Sequence, residues 1–323
     1  MRAAIFSRTG PAAEVLSVEE LETPEPGPGE VRVRVTRSGV NPTDWKERAS
    51  GGAPGDLPFK VPGQDGAGTI DAVGEGVGGE RVGQRVWIFF AAWRRQWGTA
   101  AEFSVVPEGQ AVPLPESASD ELGASLGIPA LTAHRCLFAD GPLEGRTVLV
   151  AGGAGAVGHA AIELARWRGA TVIATVSNDD KARIAREAGA DHVVDYRAED
   201  ATARIRVLAP DGVDRVVEVA LHQNVDLDAE ACGHDAAIAA YADGGPTTLG
   251  ARPFMSRNVV LRFVLVYTMP AEAVRAAVSD VSDALAAGAL TELPAHHFAL
   301  DDVAGAHDAV ERGALGKVFV DVS

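Results

Sequence analysis

The chain has 323 residues, 46% of them apolar and 23% charged, the proportions of an ordinary globular protein with room for two domains. A formal net charge of −16 repels polyanions, which speaks against nucleic acid or an anionic membrane as partner. No apolar run approaches the roughly 20 residues that span a bilayer and no basic flank with an apolar core opens the chain, so a cytoplasmic protein is expected. Cys136 and Cys232 are too far apart for a short chelating motif and read as reduced core residues. Only four lysines occur, Lys46, Lys60, Lys181 and Lys317, so a lysine beside a suspected site draws attention.

In chain order, "MRAAIFS", the turn "PEPGPGE", the alternating "VRVRVT", "GAGTIDAVG", "GQRVWIF" and "GTAAEFSVV" predict short strands joined by turns, hence an antiparallel, barrel-like domain. Trp87, Phe89, Phe90, Trp93 and Trp97 crowd into residues 86–103, as a wall for a flat substrate with Arg94 and Arg95 at its rim, or as barrel core plus an exposed loop. After "PLPESASDELGASLG" strands and helices alternate, which predicts a parallel sheet covered on both faces. The strand candidates are 147–152, 171–176, 192–196, 214–220, 236–241 and 259–267. Between the first two, Val157, Ala161, Leu164 and Ala165 recur at helical spacing and Gly169 stops the helix. A helical run, "HHFAL", a short helix from Asp301 and the strand "KVFVDV" close the chain and return it to the first domain. The expected division is 1–125 with 266–323 for the barrel-like domain and 126–265 for the parallel one.

"VLVAGGAGAVGHAAIELA" places Gly153, Gly155 and Gly158 in a G-x-G-x-x-G pattern after an apolar strand and before an amphipathic helix. Such glycines let the backbone turn tightly and approach a pyrophosphate, while the helix start supplies free N–H groups and partial positive charge. About 20 residues on, an NAD-binding chain carries an acid that grips the ribose hydroxyls. Here that place falls on Ser177, with Lys181 four residues later. A carboxylate ~4 Å from a 2′-phosphate charge would cost about 4 kcal/mol at an effective dielectric of ~20, whereas a serine donates a hydrogen bond and a lysine adds a cation. NADPH is therefore expected over NADH. Asp179 and Asp180 suit the first turn of the next helix.

The run from "SGVNPTDWKERAS" through "VPGQDGAG", "GIPALTAHRCL" and "AGGAGAVGHAAIELA" to "GALGKVFVDV" resembles the zinc-independent quinone oxidoreductase branch of the medium-chain dehydrogenase/reductase superfamily, the zeta-crystallin-like group. The resemblance implies an α/β chain, with a GroES-like β-barrel catalytic domain, a Rossmann doubly wound parallel-sheet domain, a cleft between them and a homodimer. It implies that Asn41 and Asp44 face the nicotinamide end, with Thr132 near its ribose. Gly155, Ala156, Val157 and Gly158 would hold the pyrophosphate. Ser177, Lys181 and Tyr196 would contact the 2′-phosphate and adenosine, with Arg312 as a further basic contact, and Tyr241, Phe263 and Val264 would line the cofactor. Arg48 fits the group's pattern, while Lys46 stands where some members carry an aromatic residue in the substrate pocket.

Zinc alcohol dehydrogenases of the superfamily need Cys and His ligands in the catalytic cleft and four closely spaced Cys in a structural lobe. "SGVNPTD" and "PGQDGAG" stand where the catalytic cysteine and a His–Glu pair would sit, so no metal is expected; His296 and His297 do not supply one, because neighbours on a strand point to opposite faces. Without a Lewis acid, alcohol oxidation is disfavoured and reduction of an already electrophilic small molecule, a quinone or an activated alkene, is expected. Asp44, Lys46 and water relayed through them are the candidates for the proton. Two other readings fit the same residues: an enone (double-bond) reductase on a biosynthetic intermediate, and a non-enzymatic NADPH-binding protein.

Overall fold

The computed structural model describes residues 1–50 and 57–322. The chain opens with strand β1 (Arg2–Ile5), helix α1 (Ala12–Val15), β2 (Ser17–Glu20), β3 (Glu30–Val40), α2 (Pro42–Ser50), β4 (Asp65–Val73), β5 (Arg85–Ile88), β6 (Phe103–Pro107), β7 (Ala111–Pro113) and α3 (Asp120–Gly123). Helix α4 (Gly127–Phe138) leads into β8 (Thr147–Ala151), α5 (Ala156–Trp167), β9 (Thr171–Val176), α6 (Asp179–Glu187), β10 (His192–Asp195), α7 (Ala201–Leu208) and β11 (Val213–Glu218). Then come α8 (Leu221–Ala231), β12 (Cys232–Ala240), α9 (Ala251–Met255), β13 (Val260–Phe263), α10 (Ala271–Ala286), β14 (Ala295–Ala299), α11 (Val303–Glu311) and β15 (Lys317–Asp321).

Two compact units result, Met1–Ile128 with Pro294–Ser323, and Pro129–Leu293. The sequence division gave residues 266–293 to the first domain, whereas the compact units put them in the second. Side chains explain why α10 stays there: Asp280 accepts from the guanidinium of Arg168 at 2.7 Å and meets His134 at 2.9 Å, and Glu163 of α5 accepts from the Thr291 amide at 2.9 Å.

In the first unit the sheet order is β14-β15-β3-β4-β5-β7, with β6 also paired to β3. All these pairings are antiparallel except β14 with β15. The alternation in "VRVRV" sets the face of β3: Val31, Val33 and Val35 are fully buried, while Arg32 turns out to Asp71 and Arg34 lies over the Phe103 ring at 4.8 Å. Of the aromatic run, Trp87, Phe89 and Phe90 are buried core, Phe89 and Phe90 meeting edge to face at 5.0 Å. Trp97 packs against the same core and against Phe59. The core reading therefore holds for these four rings, while Trp93 lies under Arg94.

The second unit is a six-stranded sheet in the order β10-β9-β8-β11-β12-β13, parallel throughout. This is the doubly wound arrangement, whose order reverses beside its first strand, β8. The strands are short apolar runs because helices cover both faces. Helix α5 buries Ala161, Ile162, Leu164 and Ala165 and ends at Gly169, whose φ of +78° a side chain would resist. The predicted strand 259–267 is shorter than expected: after Phe263 the chain leaves the sheet and turns at 266–268. The predicted strand 236–241 begins earlier, at Cys232. Cys136 and Cys232 are both buried and unbridged, and burial pushes each thiol up to about 12.

Candidate functional site

The second unit presents a phosphate cradle at the C-terminal end of β8. Gly152, one residue ahead of the glycine pattern, makes the turn with φ +70°, and Gly155 caps α5 in extended backbone. At Gly158 a Cβ would lie 2.3 Å from the Gly152 carbonyl, so only glycine lets the helix start press on the turn. At Gly155 a Cβ would meet nothing nearer than 3.4 Å, which leaves that side of the turn open. The first-turn N–H groups, those of Ala156, Val157 and Gly158, have no carbonyl four residues back to bond and face outward with the helix's partial positive charge.

At the next strand end the sequence expectation meets its geometry. Ser177 follows β9 and is buried, and Lys181 Nζ donates to its Oγ at 3.0 Å. Asn178 Oδ1 accepts from the Lys181 amide at 2.9 Å and so starts α6, turning that lysine back over the strand end. Asp179 and Asp180 lie in the first turn of α6 and are exposed. Tyr196 comes to the same edge: its amide donates to the Val176 carbonyl at 3.1 Å and its side chain is half exposed. A hydroxyl and an ammonium thus meet at the end of β9, with Tyr196 at the end of the neighbouring β10.

Further along the sheet a cavity of about 390 Å³ opens beyond β11, β12 and β13, lined among others by Leu221, His222, Tyr241, Phe263, Val264 and Thr268. The three residues expected to line the cofactor are therefore brought together. Backbone bonds continue the sheet there, from the Tyr241 amide to the Glu218 carbonyl at 3.1 Å and from the Val264 amide to the Ala240 carbonyl at 2.8 Å. Thr132 lies buried in α4, also in this unit.

The first unit holds a different construction, a buried polar centre. Asn41 closes β3 into α2, and its amide donates to Asp44 Oδ2 at 2.7 Å. Its side-chain Nδ2 donates to Asp65 Oδ2 at 2.7 Å, and its Oδ1 accepts from Lys317 Nζ at 2.8 Å. Asp65 Oδ1 accepts from the Ile128 amide at 2.8 Å. Asn41, Asp44, Asp65 and Lys317 are each at most 2% exposed. Desolvation raises the Asp44 carboxyl to about 7 and the Asp65 carboxyl to about 6, and it lowers the Lys317 ammonium, while the attraction of Lys317 to both acids works the other way.

Arg48 and Lys46 do not join this buried centre. The Arg48 guanidinium is buried against the Gly10 carbonyl at 2.6 Å and Glu311 at 2.9 Å, so it ties α2 to α11 and the loop before α1. Lys46 points outward along the Trp45 ring at 5.8 Å, because it sits on the opposite side of α2 from Asp44 and Arg48. Arg312 belongs to the first unit, at the end of α11, exposed and 3.8 Å from Asp308. His296 bonds the Leu315 carbonyl, while His297 stacks on Phe319 beside Asp321.

Comparison with known proteins meets both units. The family model for an alcohol dehydrogenase GroES-like domain matches residues 27–116, and that for a zinc-binding dehydrogenase matches residues 156–283. The chain is 28% identical to a quinone oxidoreductase of Rattus norvegicus over 98% of its own length and 96% of the relative's. It belongs to the quinone oxidoreductase branch of the medium-chain dehydrogenase/reductase superfamily. Its fold is similar to that of a solved NAD-dependent alcohol dehydrogenase, at TM-score 0.90 and 30% identity with both chains covered in full. It is also similar to a mycobacterial protein solved in complex with NADPH, at TM-score 0.85 and 29% identity over 99% of each chain. The first unit is the GroES-like domain of this oxidoreductase and the second its Rossmann domain.

Sequence reasoning about this medium-chain oxidoreductase missed Gly152, Asp65 and Lys317. Gly152 adjoins the counted pattern and its "GG" was available as a turn signal. Asp65 was inside a quoted motif but carried no role. Lys317 is 276 positions from Asn41, and only the scarcity of lysine pointed to it.

Proposed function

We propose that this oxidoreductase uses NADPH, without zinc, to reduce a quinone or another activated carbonyl or alkene. The observation that carries the coenzyme half is the Lys181–Ser177 pair at the end of β9, where a hydroxyl and an ammonium take the place of an acid. Bound NADPH supplies hydride; the protein binds, orients and handles the proton. The first-turn amides of α5 would hold the pyrophosphate, and Ser177, Lys181 and Tyr196 would hold the 2′-phosphate and adenosine. Tyr241, Phe263 and Val264 would line the remainder, with Thr132 near the ribose. Asn41 and Asp44 would serve the nicotinamide end, with Asp44 as the proton-holding group. Lys46 and Arg48 have no part in this reading, for the reasons of placement given above, and Arg312 remains an outlying basic contact.

The zinc-free half rests on donor chemistry. Zinc takes thiolates, imidazoles and carboxylates. The segments corresponding to its ligands offer Asn41, Asp44 and Asp65 but no thiol or imidazole, and the Lys317 ammonium lies 3.7 Å from Asp65, where a dication would meet a like charge. No helix among the described residues is long and apolar enough to cross a membrane, which accords with a cytoplasmic enzyme. A homodimer through the β13 edge would cover the exposed Val260, Phe263 and Leu265.

Steady-state turnover of a 1,4-quinone and of an enone, each with NADPH and NADH, tests the proposal. Charge-assisted contacts to the 2′-phosphate predict about 10- to 100-fold higher kcat/KM with NADPH. Equal or better use of NADH, the reduced coenzyme of the similar NAD-dependent alcohol dehydrogenase, overturns the coenzyme assignment. Preference for the enone over every quinone selects double-bond reduction.

A further inference from the structure

We propose that Lys317 is a positioning residue of this reductase: its ammonium acts as an internal cation that orients the Asn41 amide and holds Asp65 ionised, leaving Asp44 as the carboxyl that keeps and releases a proton. This rests on the reductase reading above.

Geometry carries it. Lys317 opens β15 and is wedged against β3 at Gly39, where a Cβ would lie 3.0 Å from its Cε and 3.2 Å from its Nζ. The bare Gly39 therefore leaves the space that the lysine tip fills, and the ammonium donates to Asn41 Oδ1. An amide whose oxygen accepts from an ammonium is fixed in orientation with its Nδ2 on the other side, since the flipped amide would set N–H against N–H. That Nδ2 goes to Asp65 Oδ2, which also lies 3.7 Å from Nζ. Asp65 so has a neutral donor and a cation at one oxygen and the Ile128 amide at the other.

Asp44 is placed otherwise. Its Oδ2 accepts from the Asn41 amide, but its buried Oδ1 has no hydrogen-bond partner. An ionised oxygen buried without a donor is costly, and a proton there removes the charge. The charged and titratable groups that act on Asp44 are Asp65 from β4, Lys317 from β15 and Glu47 from its own helix, which is itself bound by Lys60. One ammonium cannot compensate two carboxylates in a dry centre, and its contacts go to Asp65. Hydride addition to a quinone leaves a hydroquinone anion. That anion takes the Asp44 proton, directly or through water, and the carboxylate regains a proton from solvent.

The test uses the full chain and the variants Asp44→Asn, Lys317→Met and Asp65→Asn/Lys317→Met. Infrared titration of the coenzyme-free protein should reveal a buried carboxylic acid that ionises near neutrality and is lost in Asp44→Asn, and a second, from Asp65, that ionises at lower pH. In Lys317→Met the Asp65 acid band should persist to higher pH than in the wild type. With NADPH and a 1,4-quinone, Lys317→Met should lose about tenfold or more in kcat with less than about threefold change in KM for NADPH. The double variant exchanges a charged pair for a neutral one, so it should recover the unfolding midpoint but neither kcat nor the wild-type pH profile. Recovery of kcat together with stability would reduce Lys317 to a counter-charge and overturn the proposal, as would an unchanged band pattern in Lys317→Met. Should Lys317→Met not fold, the double variant carries the kinetic arm and Asp44→Asn the infrared one. A wild-type enzyme that reduces no quinone or enone with NADPH overturns the reductase reading instead, while the infrared bands still decide whether Lys317 keeps Asp65 ionised.

Discussion

The coenzyme corner of the second unit and the polar centre of the first are built in opposite ways. In the corner, partners are sequence neighbours: Lys181 reaches Ser177 four residues back, and the cradle lies within residues 152–158. It sits at strand ends, with Tyr196 half exposed. In the centre, Asn41, Asp65, Ile128 and Lys317 meet from four distant stretches, and the charged members are sealed from water. A site built from sequence neighbours at strand ends can change its specificity with little effect on the rest of the fold. A buried, non-local one couples charge, stability and pH, because each ion there is compensated only by its partners.

Five substitutions would break or sharpen that contrast. Removing the acid from the centre should be the most damaging: Asp65→Ala leaves Lys317 without its ion partner and is expected to cost about 3–5 kcal/mol in urea unfolding. In the corner, Ser177→Asp sets a carboxylate against the 2′-phosphate at a cost approaching about 4 kcal/mol in NADPH affinity. Binding titration should register that loss for NADPH and not for NADH.

Asp44→Asn addresses pH. Its folded value of about 7 lies above the ordinary 3.8, so the native state binds the extra proton between them, and wild-type stability falls as pH rises through that window. The variant should flatten the decline, on the order of 2–4 kcal/mol, when unfolding is compared at about pH 5 and pH 8. Lys181→Ala should weaken NADPH by about tenfold, leave NADH nearly unchanged, and alter stability by less than about 0.5 kcal/mol. Smallest of all, Arg312→Ala removes an exposed ion pair and should change stability by less than about 0.5 kcal/mol. An effect of Arg312→Ala on NADPH affinity matching that of Lys181→Ala would return Arg312 to the 2′-phosphate contacts.

Legibility followed the same division. The glycine turn, the start of α6 and the Ser177–Lys181 pair could be read because strand, turn and helix periodicities fix their spacing within a few residues. Less legible was a residue's direction on its element. Lys46 and Arg48 share α2 with Asp44, yet one faces outward and the other enters a structural anchor. The aromatic run around Trp87 could not be divided into wall and core until the barrel's inner face was known.

The sequence by itself determined the two kinds of unit, the glycine turn ahead of α5 and the pairing of Ser177 with Lys181, since periodicity and local hydrogen bonding act over a handful of residues. Only the tertiary structure decided that Lys317 returns beside Asn41 and Asp65, that Asp44 is left with an unpartnered oxygen, and that α10 stays with the parallel sheet. Those outcomes depend on which surfaces lose water together, and burial is a property of the assembled chain.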